Sequence, residues 1–538
     1  MDLGIFTEIT WQMALLGALS LSLGWGIRGN FGHELGAAIP GALAAMAVVL
    51  VSGRADWWPR IAYFGMFGAL GWAFGGSMSY MHVVSYTHSG HSGSVLYGFA
   101  NLFVIGFLWA AMGGAGTALP AILSSEHLNL FFVPIIAIFI GWVLQNAIVR
   151  SLSRIKPMQR HRSRLYWYDT DWLNVLVATV ATLIVVIVRG RFDMATSFIL
   201  HLTIGWFAAF LLLVNVLKLR MTPPRGDNWS GCVGLVAGVL IFCWRHSLGD
   251  LAFVTLMTGF IGGIGYALSQ LLKLVYIRTG LNTNWHSVLE QTQGFFHGIG
   301  LAVAMALLAS RAPVVSDTPQ LRPWTMVFAV TFILVALTYL NHRKATETWI
   351  QQVKSLPEKF YRLRVSAYRS SLPTIGWFEL IYIAIGIAVV WLLVADFKQP
   401  LPFIPATWLG KGQLLYLIFM WWVVVFNFER ALVGFTPQRI VTEGVIMLNA
   451  VVCTVLLALG TQAVSMRVPV SQAMPYAGWI PNTVVVGLTA MILATLAEWG
   501  ITHAIYGHNH APGAGLNIRF GPDATAIKEK PKSSQQHP

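Results

Sequence analysis

The sequence predicts an all-α protein, a polytopic bundle of transmembrane helices. Hydrophobic residues make up 56% of the 538 residues, charged residues make up only 10%, and the mean hydropathy is +0.65. A soluble chain of this length needs more charge to cover its surface. Apolar stretches close to the ~20 residues that cross a bilayer as a helix follow one another with short connections. These features indicate a membrane protein without a large soluble domain.

About 15 membrane-spanning helices are expected, one for each apolar stretch. Several stretches are shorter than the ~20 residues of a full crossing, so half-helices or re-entrant segments are an alternative for them. The first stretch follows Asp2 and Glu8 rather than a basic segment, which predicts a permanent helix and not a signal peptide. The predicted spans are Thr10–Gly26, Leu35–Val51, Ile61–Tyr80, Val95–Ala115, Leu130–Ile148, Trp172–Val188, Ser197–Leu217, Gly231–Trp244, Leu251–Leu272, Val288–Ala309, Trp324–Leu340, Ile375–Val394, Leu414–Phe428, Val445–Leu459 and Val484–His503.

The distribution of basic residues predicts the orientation of the bundle. Most of the 35 lysine and arginine residues fall in alternate connections, on the face that includes both long loops and the C-terminal tail. The positive-inside rule places that face in the cytoplasm, so we expect a multi-pass protein of the plasma (inner) membrane with its N-terminus outside. The net charge of +14 is then explained by lipid headgroups, and nucleic acid is not an expected partner. The expected partners are membrane lipids and an unidentified small molecule.

Short internal matches predict a parallel repeat of about six helices. Gly68 and Gly71 align with Gly259 and Gly262, and Arg28 aligns with Arg225. An even number of helices per copy gives both copies the same orientation. The predicted units are a first repeat over 1–194, a second over 195–396, a three-helix unit over 397–506 and a disordered cytoplasmic tail over 507–538.

The glycine-rich connection between the first two spans holds one group of candidate binding residues. Four glycines between 24 and 32 let the backbone approach a bound group closely. The alternative is a structural ion pair between Arg28 and Glu34 that tightens a short turn. The corresponding turn of the second repeat again joins an arginine to a carboxylate, which favours an architectural role. The candidates in these turns are Arg28, Asn30, His33, Glu34, Arg225 and Asp227.

Three histidines, His82, His88 and His91, lie in the connection between the third and fourth spans. Imidazoles are ligands of several transition metals. Their spacing matches no known zinc pattern, however, and no cysteine or carboxylate lies nearby in the sequence. We therefore expect hydrogen-bonding loop histidines that contact a substrate or headgroups, and no metal or cofactor.

The polar stripe at the start of the tenth span is the strongest candidate site. Glu290, Gln293 and His297 recur at spacings of three and four, so they share one helix face, and Gln291 lies on its flank. A charge inside a span costs ~2.5–3.5 kcal/mol on insertion scales and usually lines a polar interior. The alternative is a polar clamp between two helices. The aligned positions of the first repeat are Tyr97, Ala100 and Val104, which favours a functional stripe.

A transporter of a small polar organic solute is the favoured function, with Glu290 and His297 as candidates either for proton coupling or for polarising the substrate. Parallel repeats and a polar stripe within the bundle are typical of transporters. The alternative is an integral membrane enzyme, of the acyl- or glycosyl-transferase kind, that uses the histidines and carboxylates at the cytoplasmic interface. A receptor or assembly factor is a third class. Walker A, GxSxG, HExxH and dinucleotide-binding motifs are absent from the sequence, and no catalytic residue is assigned.

Overall fold

The polytopic helical class is confirmed by the structure, a computed structural model. Among the residues that it describes, ten helices are long and apolar enough to cross a membrane. Two shorter apolar helices, Gly36–Leu50 and Pro323–Leu337, accompany them. The structure describes residues 9–28, 34–76, 78, 80–155, 167, 170–222, 228–315, 323–338, 377–433, 437–460, 478–518 and 527–528.

Every predicted span overlaps a helix. The α-helices are α1 Trp11–Arg28, α2 Glu34–Leu50, α3 Ile61–Gly75, α4 Met81–Thr87, α5 Ser92–Ile122, α6 Ser125–Leu130, α7 Phe132–Ile155, α8 Trp172–Arg189, α9 Met194–Ala209, α10 Asn228–Arg245, α11 Gly249–Tyr276, α12 Trp285–Ala309, α13 Pro323–Thr331, α14 Trp377–Lys398, α15 Trp408–Val433, α16 Pro437–Gly460 and α17 Trp479–Tyr506. π-Helical turns extend α9 over Phe210–Val216 and α13 over Phe332–Leu337, and 3-10 turns cover Trp58–Arg60 and Ile277–Thr279.

The count of about 15 spans and the internal repeat are not confirmed by these helices. The third predicted span shows why element boundaries differ from the apolar pattern. There α3 ends at Gly75, and the short helix α4 begins separately at Met81. Consecutive glycines at 75 and 76 weaken the helix at this point. In contrast, α5 is longer than the fourth predicted span, Val95–Ala115, because the helix continues to Ile122.

Six helices form a closed central ring in the order α1, α2, α3, α5, α11 and α12, with α12 packing back against α1. Glycines allow close approach at these contacts, as in other membrane helix pairs. A Cβ atom on Gly298 of α12 would lie 2.4 Å from the Gly17 carbonyl oxygen of α1. A Cβ atom on Gly106 of α5 would lie 2.7 Å from the Gly262 carbonyl oxygen of α11. The ring therefore has tightly packed walls.

Two buried arginines close one end of the ring. Arg54 donates to the carbonyl oxygens of Ala309 and Ala312 at the end of α12, at 3.0 and 2.8 Å. Arg60 donates to the carbonyl oxygens of Pro120 and Leu123 at the end of α5, at 2.9 and 2.6 Å. Helix C-termini leave carbonyl groups without intrahelical partners, and the guanidinium groups satisfy them. The connection from α2 to α3 is thereby fastened to α5 and α12.

The C-terminal tail differs from the prediction of disorder over part of its length. Residues 507–518 lie against the turn between α4 and α5, where Ala511 donates its backbone N–H to the His88 carbonyl at 3.1 Å. The Gly90 N–H donates to His510 Nδ1 at 3.2 Å, and Ser89 hydrogen-bonds the Asn517 side chain. Leu516–Asn517 forms β1, which pairs antiparallel with β2, Ile527–Lys528. The glycine-rich composition, which predicted disorder, gave no indication of these contacts.

Candidate functional site

A buried ion pair joins the first helix of the ring to the last. Arg28 ends α1, and Glu290 lies in the second turn of α12. Arg28 Nη1 is 3.2 Å from Glu290 Oε1, and the two side chains are only 2% and 3% exposed. The Tyr80 hydroxyl donates to the same carboxylate oxygen at 2.6 Å, and Arg28 Nη2 donates to the Gly76 carbonyl at 3.4 Å. A buried charge pair is stable only when further hydrogen bonds surround it, as they do here.

His286 connects this ion pair to the outside of the bundle. It lies one helical turn before Glu290, and its side chain is 43% exposed. His286 Nε2 is 3.6 Å from Glu290 Oε1 and 3.2 Å from the Tyr80 hydroxyl oxygen. The imidazole stacks on the Tyr80 ring, with centroids 5.9 Å apart and an interplanar angle of 11°. An accessible titratable group is thus within reach of a buried carboxylate.

Aromatic side chains surround the guanidinium group. The Arg28 guanidinium carbon lies 4.6 Å from the Trp25 ring centroid, 5.2 Å from that of Trp109 and 5.7 Å from that of Tyr80. Trp109 stacks on Trp25 at 4.9 Å and on Tyr266 at 5.4 Å. Cation–π contacts are worth up to ~2 kcal/mol or more when they are desolvated. We call Trp25, Trp72, Tyr80, Trp109, Tyr266 and His297 the aromatic cluster.

His297 and Gln293 continue the stripe of α12 into this cluster. The His297 ring lies 5.4 Å from that of Trp72, and His297 Nε2 is hydrogen-bonded to the Gly262 carbonyl at 3.0 Å. Gln293 is fully buried between Glu290 and His297. All three members of the predicted stripe therefore face the interior of the central ring.

The aromatic cluster and the neighbouring Gln293 contain many buried polar atoms that have no hydrogen-bond partner in the described part of the chain. Each such atom costs ~1–3 kcal/mol unless a partner is supplied. Because several of them share one site, they indicate a place for a polar ligand or for ordered water. They are Nε1 of Trp25, Trp72 and Trp109, the hydroxyl of Tyr266, Nδ1 of His297 and both amide atoms of Gln293.

The other residues of the predicted site take different positions. Gln291 donates to the Ser287 hydroxyl and to the Thr442 carbonyl of α16, both at 3.1 Å, so it joins α12 to α16 as a polar clamp. Arg28 is paired with Glu290 of α12. The alternative pair of Arg28 with Glu34 falls outside the described residues, because the Glu34 side chain does. Asn30, His33, Arg225 and Asp227 lie outside the described residues, and so does the side chain of Glu34.

The three loop histidines do not form a common site. His88 Nδ1 is hydrogen-bonded to the Pro512 carbonyl at 2.8 Å, and burial, together with the charge of Lys273, lowers the pKa of His88 to about 4. His91 caps α5, since its Nδ1 accepts from the Ser94 N–H at 3.1 Å. His82 lies in α4, half-buried. In the described ranges no group of three or more potential metal ligands occurs.

Sequence reasoning missed Tyr80, His286 and the tryptophans of the cluster. His286 carried a local signal, because it precedes Glu290 by four residues and so shares its helix face. Tryptophans near the ends of apolar stretches usually form an interfacial belt in membrane proteins, so the sequence gives no reason to place them in a site. Trp25, Trp72 and Trp109 are instead completely buried within the ring.

Comparison with known proteins adds no identity, since no protein-family model, curated protein or solved structure matches this chain. The geometry itself defines the chemistry that the site can perform. It brings a buried carboxylate into contact with an arginine and with an exposed imidazole, the side-chain type that most often transfers protons in proteins. An arginine released from that carboxylate can bind another acceptor group.

Proposed function

We propose that this protein is a proton-coupled membrane transporter of a small polar organic solute, with the Arg28–Glu290 pair at its substrate site. The observation that supports this most directly is a buried ion pair inside a closed ring of helices, in contact with one exposed imidazole. Three helices of this ring, α5, α11 and α12, are long and apolar enough to cross a membrane. Ionisable groups within membrane segments are costly, and in transporters they mark substrate and proton pathways. The unpartnered polar atoms beside the pair support a bound solute at the same place.

Protonation of Glu290 is the switching event of the proposed cycle. His286 first takes up a proton at its exposed side, and the resulting imidazolium passes its Nε2 proton to the Tyr80 oxygen while the Tyr80 hydroxyl proton moves to Glu290 Oε1, over the observed 3.2 and 2.6 Å separations. His286 is left neutral. The neutral carboxyl group holds Arg28 less strongly than the carboxylate does, because the charge–charge attraction is lost. Arg28 can then exchange the Glu290 side chain for solute. Solute release restores the ion pair and returns the proton.

Proteoliposomes loaded with a pH-sensitive dye test this proposal. A panel of small amino acids, sugars and organic acids is added outside, and at least one member should acidify the lumen of vesicles that contain the protein. Glu290→Gln should abolish this proton movement. Asp56→Asn is the matched control, since it breaks another arginine–carboxylate pair, 2.6 Å long, at the closed end of the ring. Proton movement that is unchanged in Glu290→Gln, or absent for every solute, would contradict the proposal.

The membrane-enzyme alternative receives less support from the geometry. His88 and His91 each use a ring nitrogen to hold the tail or to cap α5. The described hydrogen bonds of these two histidines involve the tail and the start of α5, and not the Arg28–Glu290 pair. Lipid extracts from cells with and without the protein check this alternative. A modified lipid that depends on the protein and disappears in His88→Ala would favour the enzyme.

A further inference from the structure

We propose that the transported solute is a small organic monocarboxylate, whose carboxylate binds Arg28 in the position that the Glu290 carboxylate holds in this structure. This inference rests on the proposed function and names its substrate class. It follows from three properties of the site, namely the charges of its described groups, the shape of the arginine and the hydrogen-bonding capacity of the aromatic cluster.

The charge balance favours an anionic ligand. The ionisable groups described around Glu290 are Arg28 of α1, Tyr80 before α4, Tyr266 of α11 and His286 of α12. Among these described groups, with His286 neutral, the positive charge of Arg28 offsets the negative charge of Glu290. An incoming monoanion keeps this balance if Glu290 takes up one proton. A neutral solute adds no charge to the site, so its binding would not require Glu290 to take up a proton and release Arg28.

The arginine also has the right shape for a carboxylate. Its planar fork binds carboxylate groups through two parallel N–H···O bonds, which an ammonium group cannot do. In this structure Arg28 uses Nη1 for Glu290 and Nη2 for the Gly76 carbonyl, so both arms of the fork are directed to oxygen atoms. A cationic ligand is disfavoured, because Arg28 already lies over the faces of Trp25 and Trp109.

The hydrogen-bonding capacity of the cluster favours a ligand rich in acceptors. Indole groups donate hydrogen bonds and do not accept them. The buried Nε1 atoms of Trp25, Trp72 and Trp109 have no partner within the described residues, and the Tyr266 hydroxyl is likewise unpartnered. A carboxylate with a neighbouring keto or hydroxyl oxygen offers acceptors to these donors. A hydrocarbon acid would leave most of them unsatisfied.

Equilibrium binding of radiolabelled pyruvate to the purified full-length protein tests the inference. If binding takes up one proton on Glu290, the affinity for pyruvate falls about tenfold for each unit of rising pH, over the pH range in which Glu290 is deprotonated before pyruvate binds. Glu290→Gln imitates the protonated carboxyl group, so it should bind pyruvate with an affinity that no longer depends on pH. Arg28→Gln should reduce binding at least ~10-fold, and Arg28→Lys should restore it only in part, because lysine lacks the fork.

Competition defines the ligand class. Lactate and glycolate should displace pyruvate, whereas glycerol, choline and inorganic phosphate should not. Equal displacement by phosphate would overturn the assignment of a carboxylate, and so would a pyruvate affinity that is unchanged in Arg28→Gln. Asp56→Asn should bind as the wild type does, which separates loss of the site from general loss of stability.

Proton movement and pyruvate binding together separate an error in the substrate class from an error in the proposed transport function. If a neutral solute drives Glu290-dependent proton movement while pyruvate does not bind, the substrate class is wrong and the transporter remains. If pyruvate binds with the pH dependence given above but moves no protons across vesicles, the ligand assignment holds and transport is refuted.

Discussion

Removal of the Arg28 charge should destabilise the fold far more than removal of both members of the buried pair. Arg28→Met leaves the Glu290 carboxylate, which is 3% exposed, with the Tyr80 hydroxyl as its remaining close donor. Breaking a buried ion pair on one side costs ~3–5 kcal/mol, mainly because the other charge stays buried without compensation. The double variant Arg28→Met/Glu290→Gln contains no uncompensated charge, and we expect it to cost ~1–2 kcal/mol.

A double-mutant cycle in mixed detergent micelles measures this difference. The free energy of unfolding is obtained for the wild type, for Arg28→Met, for Glu290→Gln and for the double variant. The expected coupling energy is at least ~2 kcal/mol, within the range seen for residues in direct contact. The pair Arg54→Met and Asp56→Asn provides a comparison, because Asp56 is 13% exposed and its loss should cost less.

Additivity would refute the reasoning behind this prediction. If the two single effects sum to the double effect within ~0.5 kcal/mol, Arg28 and Glu290 are energetically independent. The mechanism in which Glu290 protonation releases Arg28 would then lose its physical basis.

Three further outcomes follow from the structure. His286→Gln should slow solute-driven proton movement at least ~10-fold, an ordinary size for loss of a proton-transfer group, while the melting temperature changes little because the side chain is 43% exposed. Burial lowers the pKa of His88 to about 4 from 6.5, so the protein binds fewer protons at His88 when the tail is docked against it than when the tail is released. Hydrogen-exchange protection of residues 508–518 should therefore fall as the pH drops from 6.5 towards 4. His88→Ala should remove that pH dependence. Gly113→Ala should cost ~1–3 kcal/mol in unfolding free energy, because its Cβ would lie 2.2 Å from Trp72.

Local pattern was sufficient for the helices and for one side of the site. Apolar stretches must form helices in a bilayer, because backbone groups there have no water to bind, so each predicted span overlaps a helix of the structure. The spacing of Glu290, Gln293 and His297 likewise places them on one face whatever surrounds them. The position of the tail could not be predicted from local pattern, because its hydrogen bonds to His88 and Gly90 depend on where α4 and α5 meet it.

The other side of the site depends on contacts between distant parts of the chain. Arg28 meets Glu290 across 262 positions of sequence, because α1 and α12 close the same ring. The burial of Trp25, Trp72 and Trp109 has the same origin, for a tryptophan near a helix end faces either lipid or protein according to the neighbouring helices. Composition and periodicity thus establish a membrane bundle with a polar stripe. The packing of the ring supplies the arginine, the aromatic walls and the exposed histidine, because charge pairing and burial are properties of neighbours in space.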